Sequence, residues 1–203
     1  TFIGNRAGQS GGGMLNEDNS ASELTDCLFS NNSALYGGGM ENRSSPVVLT
    51  NCTFFANSAS NGGGMNNITS ASTLSSCTFT NNTASYGGGL YSGGSSPSLT
   101  NCSFEANSAS VYGGGMMNST STPSLTGCSF YGNSAGESGG GMYNFYNSAP
   151  VLSDSSFIGN QAVSAGGGMY NEASSPTLTD ATFNSNSASW GGGGMLNYES
   201  SPT

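Results

Sequence analysis

The chain has 203 residues, a net charge of −9, two basic residues, Arg6 and Arg43, and neither lysine nor histidine. Phosphate backbones and anionic membrane surfaces are bound through clustered lysines and arginines, so the composition excludes nucleic acid and direct membrane binding. No stretch approaches the ~20 apolar residues of a membrane-spanning helix, and no charged-then-apolar leader is present.

One pattern recurs eight times: Ser-Pro-x-Leu-Thr-x-Cys-x-Phe-x-x-Asn-x-Ala, then Gly-Gly-Gly-Met-x-Asn. The phenylalanine column is Phe2, Phe29, Phe54, Phe79, Phe104, Phe130, Phe157 and Phe183, and the residue after the glycines runs Met14, Met40, Met65, Leu90, Met116, Met142, Met169 and Met195. Steps of 25 to 27 residues mark stacked units, none able to bury its apolar face alone. The repeat runs from Phe2 to Met195 without a composition break, which predicts one solenoid domain over residues 1–203, read as a segment of a longer repeat protein.

Within a unit, alternation is short and no apolar i, i+3, i+4 pattern occurs, so each unit reads as three short strands joined by turns. The first strand follows the glycines and carries Met and Asn two residues apart, as in Met65 and Asn67, on one side. The second begins near the proline and carries an inward Leu, as in Leu49, Leu99 and Leu178. The third carries Cys and Phe, as in Cys52 and Phe54, and the odd offset from Leu demands a turn at the Thr-Asn or Thr-Asp step. Three strands per turn, wound with like residues above one another, describe an all-β, right-handed parallel β-helix of about eight coils. At ~4.8 Å per coil the rod is on the order of 38 Å long.

The interior columns then have structural roles. Asn32, Asn57, Asn82, Asn107, Asn133, Asn160 and Asn186, with Asn5 before them, are expected to form a stacked amide ladder. Ala7 to Ala188, two residues later in every unit, is read as leaving room for a tight corner, and the glycines as meeting φ > 0 or close backbone approach. Cys27, Cys52, Cys77, Cys102 and Cys128 share a column continued by Ser155 and Ala181. Parallel stacking holds their β-carbons near the coil spacing, beyond the ~3.8 Å mean of a disulfide, so a reduced ladder is expected. Clustered metal ligands such as Cys-x-x-Cys or histidine are missing, so neither a metal nor a cofactor is expected. Asp26, Asp154 and Asp180 share a column with Asn51, Ser76, Asn101 and Gly127 and read as a solvated corner, with a carboxylate pair at Asp154 and Asp180 as the functional alternative.

The outward columns vary. After the Met column come Leu15, Glu41, Asn66, Tyr91, Met117, Tyr143, Tyr170 and Leu196. Alternation predicts an exposed strip of Tyr91, Met117, Tyr143, Tyr170 and Leu196, with Phe145, Tyr146 and Tyr198 along the adjoining turn. Tyr36, Tyr86, Tyr112 and Trp190, just before the glycines, are expected on the other side of that sheet. Such a strip suits an interaction face, against glycans or another protein.

The motif pair, as in Phe54-Phe55-Ala56-Asn57 and Gly62-Gly63-Gly64-Met65, resembles the repeats of chlamydial polymorphic outer membrane proteins and related surface β-helix proteins. The resemblance implies a secreted or surface-exposed right-handed β-helix, commonly an adhesin or passenger region, and carries over no catalytic residue. The expected function is a non-catalytic extracellular adhesin, stalk or filament segment whose partners are other surface proteins or copies of itself. A carbohydrate-binding or polysaccharide-active β-helix is the alternative, but a lyase needs a basic proton abstractor and the chain has neither histidine nor lysine. An ice-binding solenoid is the third reading, weakened because the column of Thr53, Thr78 and Thr182 has mixed neighbours.

Overall fold

The computed structural model describes residues 1–203, and every strand pairing in it is parallel. It is a right-handed parallel β-helix in which each strand pairs with the equivalent strand one repeat away. Three sheets run along the rod and take their names here from their inward residues. The eight-stranded Phe sheet runs from Phe2–Ile3 to Thr182–Asn184, the eight-stranded Met sheet from Met14–Asn16 to Met195–Tyr198, and the seven-stranded Leu sheet from Ser22–Thr25 to Thr177–Thr179.

Register is fixed residue on residue: Phe79 pairs with Phe54 and Phe104, and Leu99 with Leu74 and Leu125. A one-residue slip would turn each inward column to solvent, so the repeat specifies its own pairing. The phenyl rings stack face over face with centroids 4.5 to 4.8 Å apart from Phe2 to Phe183. Phe, Met, Leu and Cys columns together form one continuous core.

The turn expected before each cysteine is present. Asp26, Asn51, Ser76, Asn101, Gly127, Asp154 and Asp180 all adopt positive φ, between 49° and 63°. That explains the column's composition, since Asn, Asp and Gly tolerate the left-handed region best. Asp154 and Asp180 therefore share a turn position on neighbouring coils.

A fourth sheet of five short strands, from Thr83–Tyr86 to Ser187–Ala188, departs from the three-strand expectation. It holds Ala84, Ala109, Ala135, Ala162 and Ala188, which were expected at a tight corner and instead lie in extended chain, with Ala109, Ala135 and Ala162 buried; Ala7, Ala34 and Ala59 lie outside any strand. The neighbouring asparagine contributes, since its carbonyl accepts the backbone N–H of the residue after the next coil's asparagine, as in Ser108 N to Asn82 O at 2.9 Å. That bond keeps the segment in the ladder instead of folding it away.

Buried polar groups are organised as ladders. In the first, each asparagine Nδ2 donates to the Oδ1 of the next coil's asparagine and to the phenylalanine carbonyl of the previous coil; for Asn82 these are Asn107 Oδ1 at 3.0 Å and Phe54 O at 2.8 Å. The Asn82 backbone N–H donates to the same Oδ1 at 3.0 Å. The ladder runs unbroken from Asn5 to Asn186. A second amide ladder follows the Met column, from Asn16 through Asn42 to Asn67 and from Asn118 through Asn144 and Asn171 to Asn197. Ser92 interrupts it, and Asn67 Nδ2 and Asn118 Oδ1 on either side have no hydrogen-bond partner.

A third ladder was not expected. At the corner between the Met and Leu sheets the backbone N–H of each serine donates to the hydroxyl of the next, from Ser20 to Ser200. The five cysteines carry free thiols; four are buried and Cys27 is half-buried. Each buried thiol lies near the carbonyl two residues earlier and the leucine carbonyl one coil back, for Cys102 at 3.5 and 3.6 Å.

Candidate functional site

The three glycines preceding each Met have different tasks. Gly62 has φ +62°, whereas a Cβ on Gly63 would lie 2.4 Å from Gly88 O and one on Gly64 2.6 Å from Gly89 O. The first glycine therefore turns the chain and the other two pass against the adjacent coil's backbone. The turn also folds the chain across the outer face of the Met sheet, since a Cβ on Gly37 would stand 2.8 Å from Glu41 Cβ, and one on Gly139 2.7 Å from Tyr143 Cβ.

This arch changes the expected exposed strip. Glu41, Asn66, Met117 and Tyr143 are buried, Tyr91, Tyr170 and Leu196 are half-buried, and of the row only Leu15 lies open. Tyr36, Tyr86 and Tyr112, before the glycines, are on the same side as this row, contrary to expectation: Tyr36 lines a hollow with Tyr91, Tyr86 and Tyr112 line one with Tyr143, and Tyr112 stacks on Tyr143 at 4.4 Å. The strand of Tyr112 carries one residue more after Ala109 than its neighbour has after Ala84, and this bulge keeps Tyr112 paired with Tyr86. Trp190 is 78% exposed and stands outside the groove that results.

The groove consists of two hollows along the same sheet face, an aromatic lobe and a polar lobe, with no lining residue in common. The aromatic lobe, about 300 Å³, is lined by Tyr86, Tyr112, Met117, Tyr143, Phe145 and Glu172. Tyr143 also stacks on Tyr170 at 5.2 Å and donates its hydroxyl to Glu172 Oε2. Burial raises the phenol pKa of Tyr143, and Glu172 adds to the shift; burial and then Glu137 push Tyr112 up to about 12. Both hydroxyls thus remain donors through neutral pH.

The polar lobe, about 180 Å³, is lined by Tyr36, Glu41, Arg43, Asn61, Asn66, Ile68 and Tyr91. Arg43 Nε donates to Glu41 Oε1 at 2.9 Å and its Nη2 to Ser10 Oγ at 2.6 Å. Asn66 Nδ2 donates to Glu41 Oε1 at 3.2 Å. Glu41 Oε2 and Asn66 Oδ1, both buried, have no partner. No group of three or more His, Cys, Asp or Glu side chains is arranged to hold a metal ion.

A model describing the right-handed β-helix region matches residues 59–203. The chain belongs to the right-handed β-helix family. Neither the curated proteins nor the solved structures provide a match to this β-helix. The matched span covers the aromatic lobe and excludes Tyr36, Glu41 and Arg43 of the polar one, although their coils continue the same ladders.

Sequence reasoning placed Tyr91, Met117, Tyr143, Tyr170 and Leu196 in one row, and the structure brings all five onto one sheet face. It missed Glu41, Asn66 and Arg43 as a constellation. The available signal was a carboxylate and an amide at adjacent positions of a column otherwise apolar or aromatic.

Proposed function

We propose that this β-helix is a non-catalytic structural solenoid of the cell exterior, of the adhesin or stalk type, and that the groove over its Met sheet is the contact face. One observation carries the reading. The inward columns repeat almost without change, while the outer column of the Met sheet changes from coil to coil and sets charged, amide and aromatic side chains, buried or half-buried, along the groove. A site that alters locally within an otherwise uniform scaffold is where selection for contact is expressed. The likeness of the repeats to surface β-helix proteins supports the extracellular setting, and the partner favoured is another surface protein. Glycans are the second reading, supported by the aromatic lobe, where Tyr112, Tyr143 and Tyr170 present stacked rings beside the Glu172 carboxylate.

The test immobilises the full chain and measures retention of cells, and of insoluble neutral and acidic polysaccharides, alongside product release from the same polysaccharides. Retention without product release, lost on Tyr143→Ser, is the expected result. Release of saccharide products by the wild type, or retention indifferent to Tyr143→Ser and Tyr112→Ser, would overturn the proposal.

A further inference from the structure

The outer row of the Met sheet poses a physical problem at Glu41. Its side chain is 1% exposed, yet it faces away from the core on a column that other coils fill with Leu15, Met117 or Leu196. Burying a carboxylate costs several kcal/mol unless both oxygens are well paired. Here pairing is incomplete. Arg43 reaches Oε1 through Nε alone and turns Nη2 to Ser10, so the guanidinium does not grip both oxygens. Asn66 spends its Nδ2 on that same Oε1. What remain are two acceptors with no donor, Glu41 Oε2 and Asn66 Oδ1, on register partners of adjacent strands. Stacking does not require either residue, since an apolar side chain at this position would fold equally well.

We infer that the polar lobe binds a primary ammonium group, the lysine side chain of a partner protein. The unpaired groups are acceptors only, and an ammonium supplies three donors and no acceptor. A sugar hydroxyl would bring lone pairs that need donors of their own. An arginine fork needs two free carboxylate oxygens, and one is already taken. A calcium ion needs six to eight oxygens, far more than the lobe offers. Both oxygens are closed to solvent in the empty lobe, so the ammonium reaches them as the Glu41 and Asn66 side chains turn toward it; the other walls, Ile68, Tyr36 and Tyr91, suit a lysine stem. The chain carries −9 overall, which draws cationic partners, and these 203 residues hold no lysine, so an identical β-helix segment offers no lysine side chain to the lobe. The inference rests on the groove being the contact face.

The test titrates the full chain with Nα-acetyl-lysine methylamide and with n-butylammonium, following the Asn66 side-chain amide resonances, with n-butanol and a methyl hexopyranoside as neutral probes. Saturable shifts with both amines in the millimolar range, weakened by salt and absent with the neutral probes, are expected. Glu41→Leu and Asn66→Met should each weaken amine binding at least 10-fold, and the double variant, which leaves no orphaned amide behind, should hold or raise the melting temperature. Shifts with the hexopyranoside instead, no saturation by either amine, or lowered melting temperatures with unchanged amine binding would overturn the inference. Amine binding should survive Tyr143→Ser, which separates the two claims. Adhesion without amine binding defeats only the ammonium site, and amine binding without adhesion defeats only the groove's role as contact face.

Discussion

The two faces of the Met sheet are built from the same strands and obey different rules. Inward, Met40 stacks on Met65 and Met116 on Met142, with Asn42 on Asn67 and Asn118 on Asn144 beside them, and Leu90 and Ser92 are the single departure between. Outward, Glu41, Asn66, Tyr91, Met117 and Tyr143 follow one another in the same register without repeating. The inner face is closed on all sides, so a change in one coil leaves its neighbours with a cavity or an unpaired amide. The outer face is arched over by a glycine turn but opens sideways into a groove, and there the coils differ freely. Parallel stacking enforces likeness only where there is nowhere else to go.

The closed interior is most vulnerable at a glycine. Gly63→Ala would push a Cβ to 2.4 Å from Gly88 O and 2.5 Å from Thr83 O, both backbone atoms. It should cost more than about 4 kcal/mol, enough to leave little folded protein by circular dichroism. Gly159→Ala, at φ +64° but with nothing within 4 Å, should cost only ~1 kcal/mol in the same assay. Next comes the continuous ladder. Asn107→Ala removes the bonds to Phe79 O and Asn133 Oδ1 and strips both Asn82 donors of their acceptor. A loss of roughly 3 kcal/mol or more in urea unfolding is expected, because several buried groups go unpaired together.

The interrupted ladder predicts the opposite sign. Ser92→Asn supplies an acceptor to Asn67 Nδ2 and a donor to Asn118 Oδ1, and should stabilise by about 1 kcal/mol. Alkaline pH probes the thiol column. The Cys102 thiol's hydrogen bond, with burial, holds Cys77 up to about 11, and the Cys128 thiol with burial holds Cys102 up to about 12. A raised pKa means that the folded state favours the protonated thiol, so this contribution is complete below the unfolded value near 9 and is lost as pH rises through the folded values. Melting temperature should fall between pH 9 and 11, and less steeply in Cys77→Ala. The smallest effect belongs to Trp190→Ala, which should shift stability by less than about 0.5 kcal/mol, since the indole is 78% exposed.

The coil was legible because its columns are one-dimensional: Phe54, Leu49, Cys52 and Asn57 each recur at a fixed step, and period-two alternation decides which way each points. The positive-φ corner at Asn51 was legible as an odd offset between inward residues. The serine ladder was present in the sequence at Ser45, Ser70, Ser95 and Ser121, but serine is too common in this chain for one column to stand out. The groove was only half legible. Alternation assigned Tyr143 and Met117 outward, and nothing in a run of three glycines says that the first will carry positive φ and fold across them. Tyr36, Tyr86 and Tyr112 were misplaced for the same reason, since the turn at the following glycine lays the chain before it along the face it crosses.

The division between a dictated interior and a free outer row is tested most directly by thermal unfolding of a single variant combining Glu41→Leu, Asn66→Met and Tyr143→Leu. Each replacement copies a residue type already found in that column at Leu15, Met117 or Leu196. The account predicts a melting temperature within a few degrees of the wild type, or above it. A fall of about 8 °C or more, matching that expected for Asn107→Ala at roughly 2–4 °C per kcal/mol, would contradict it.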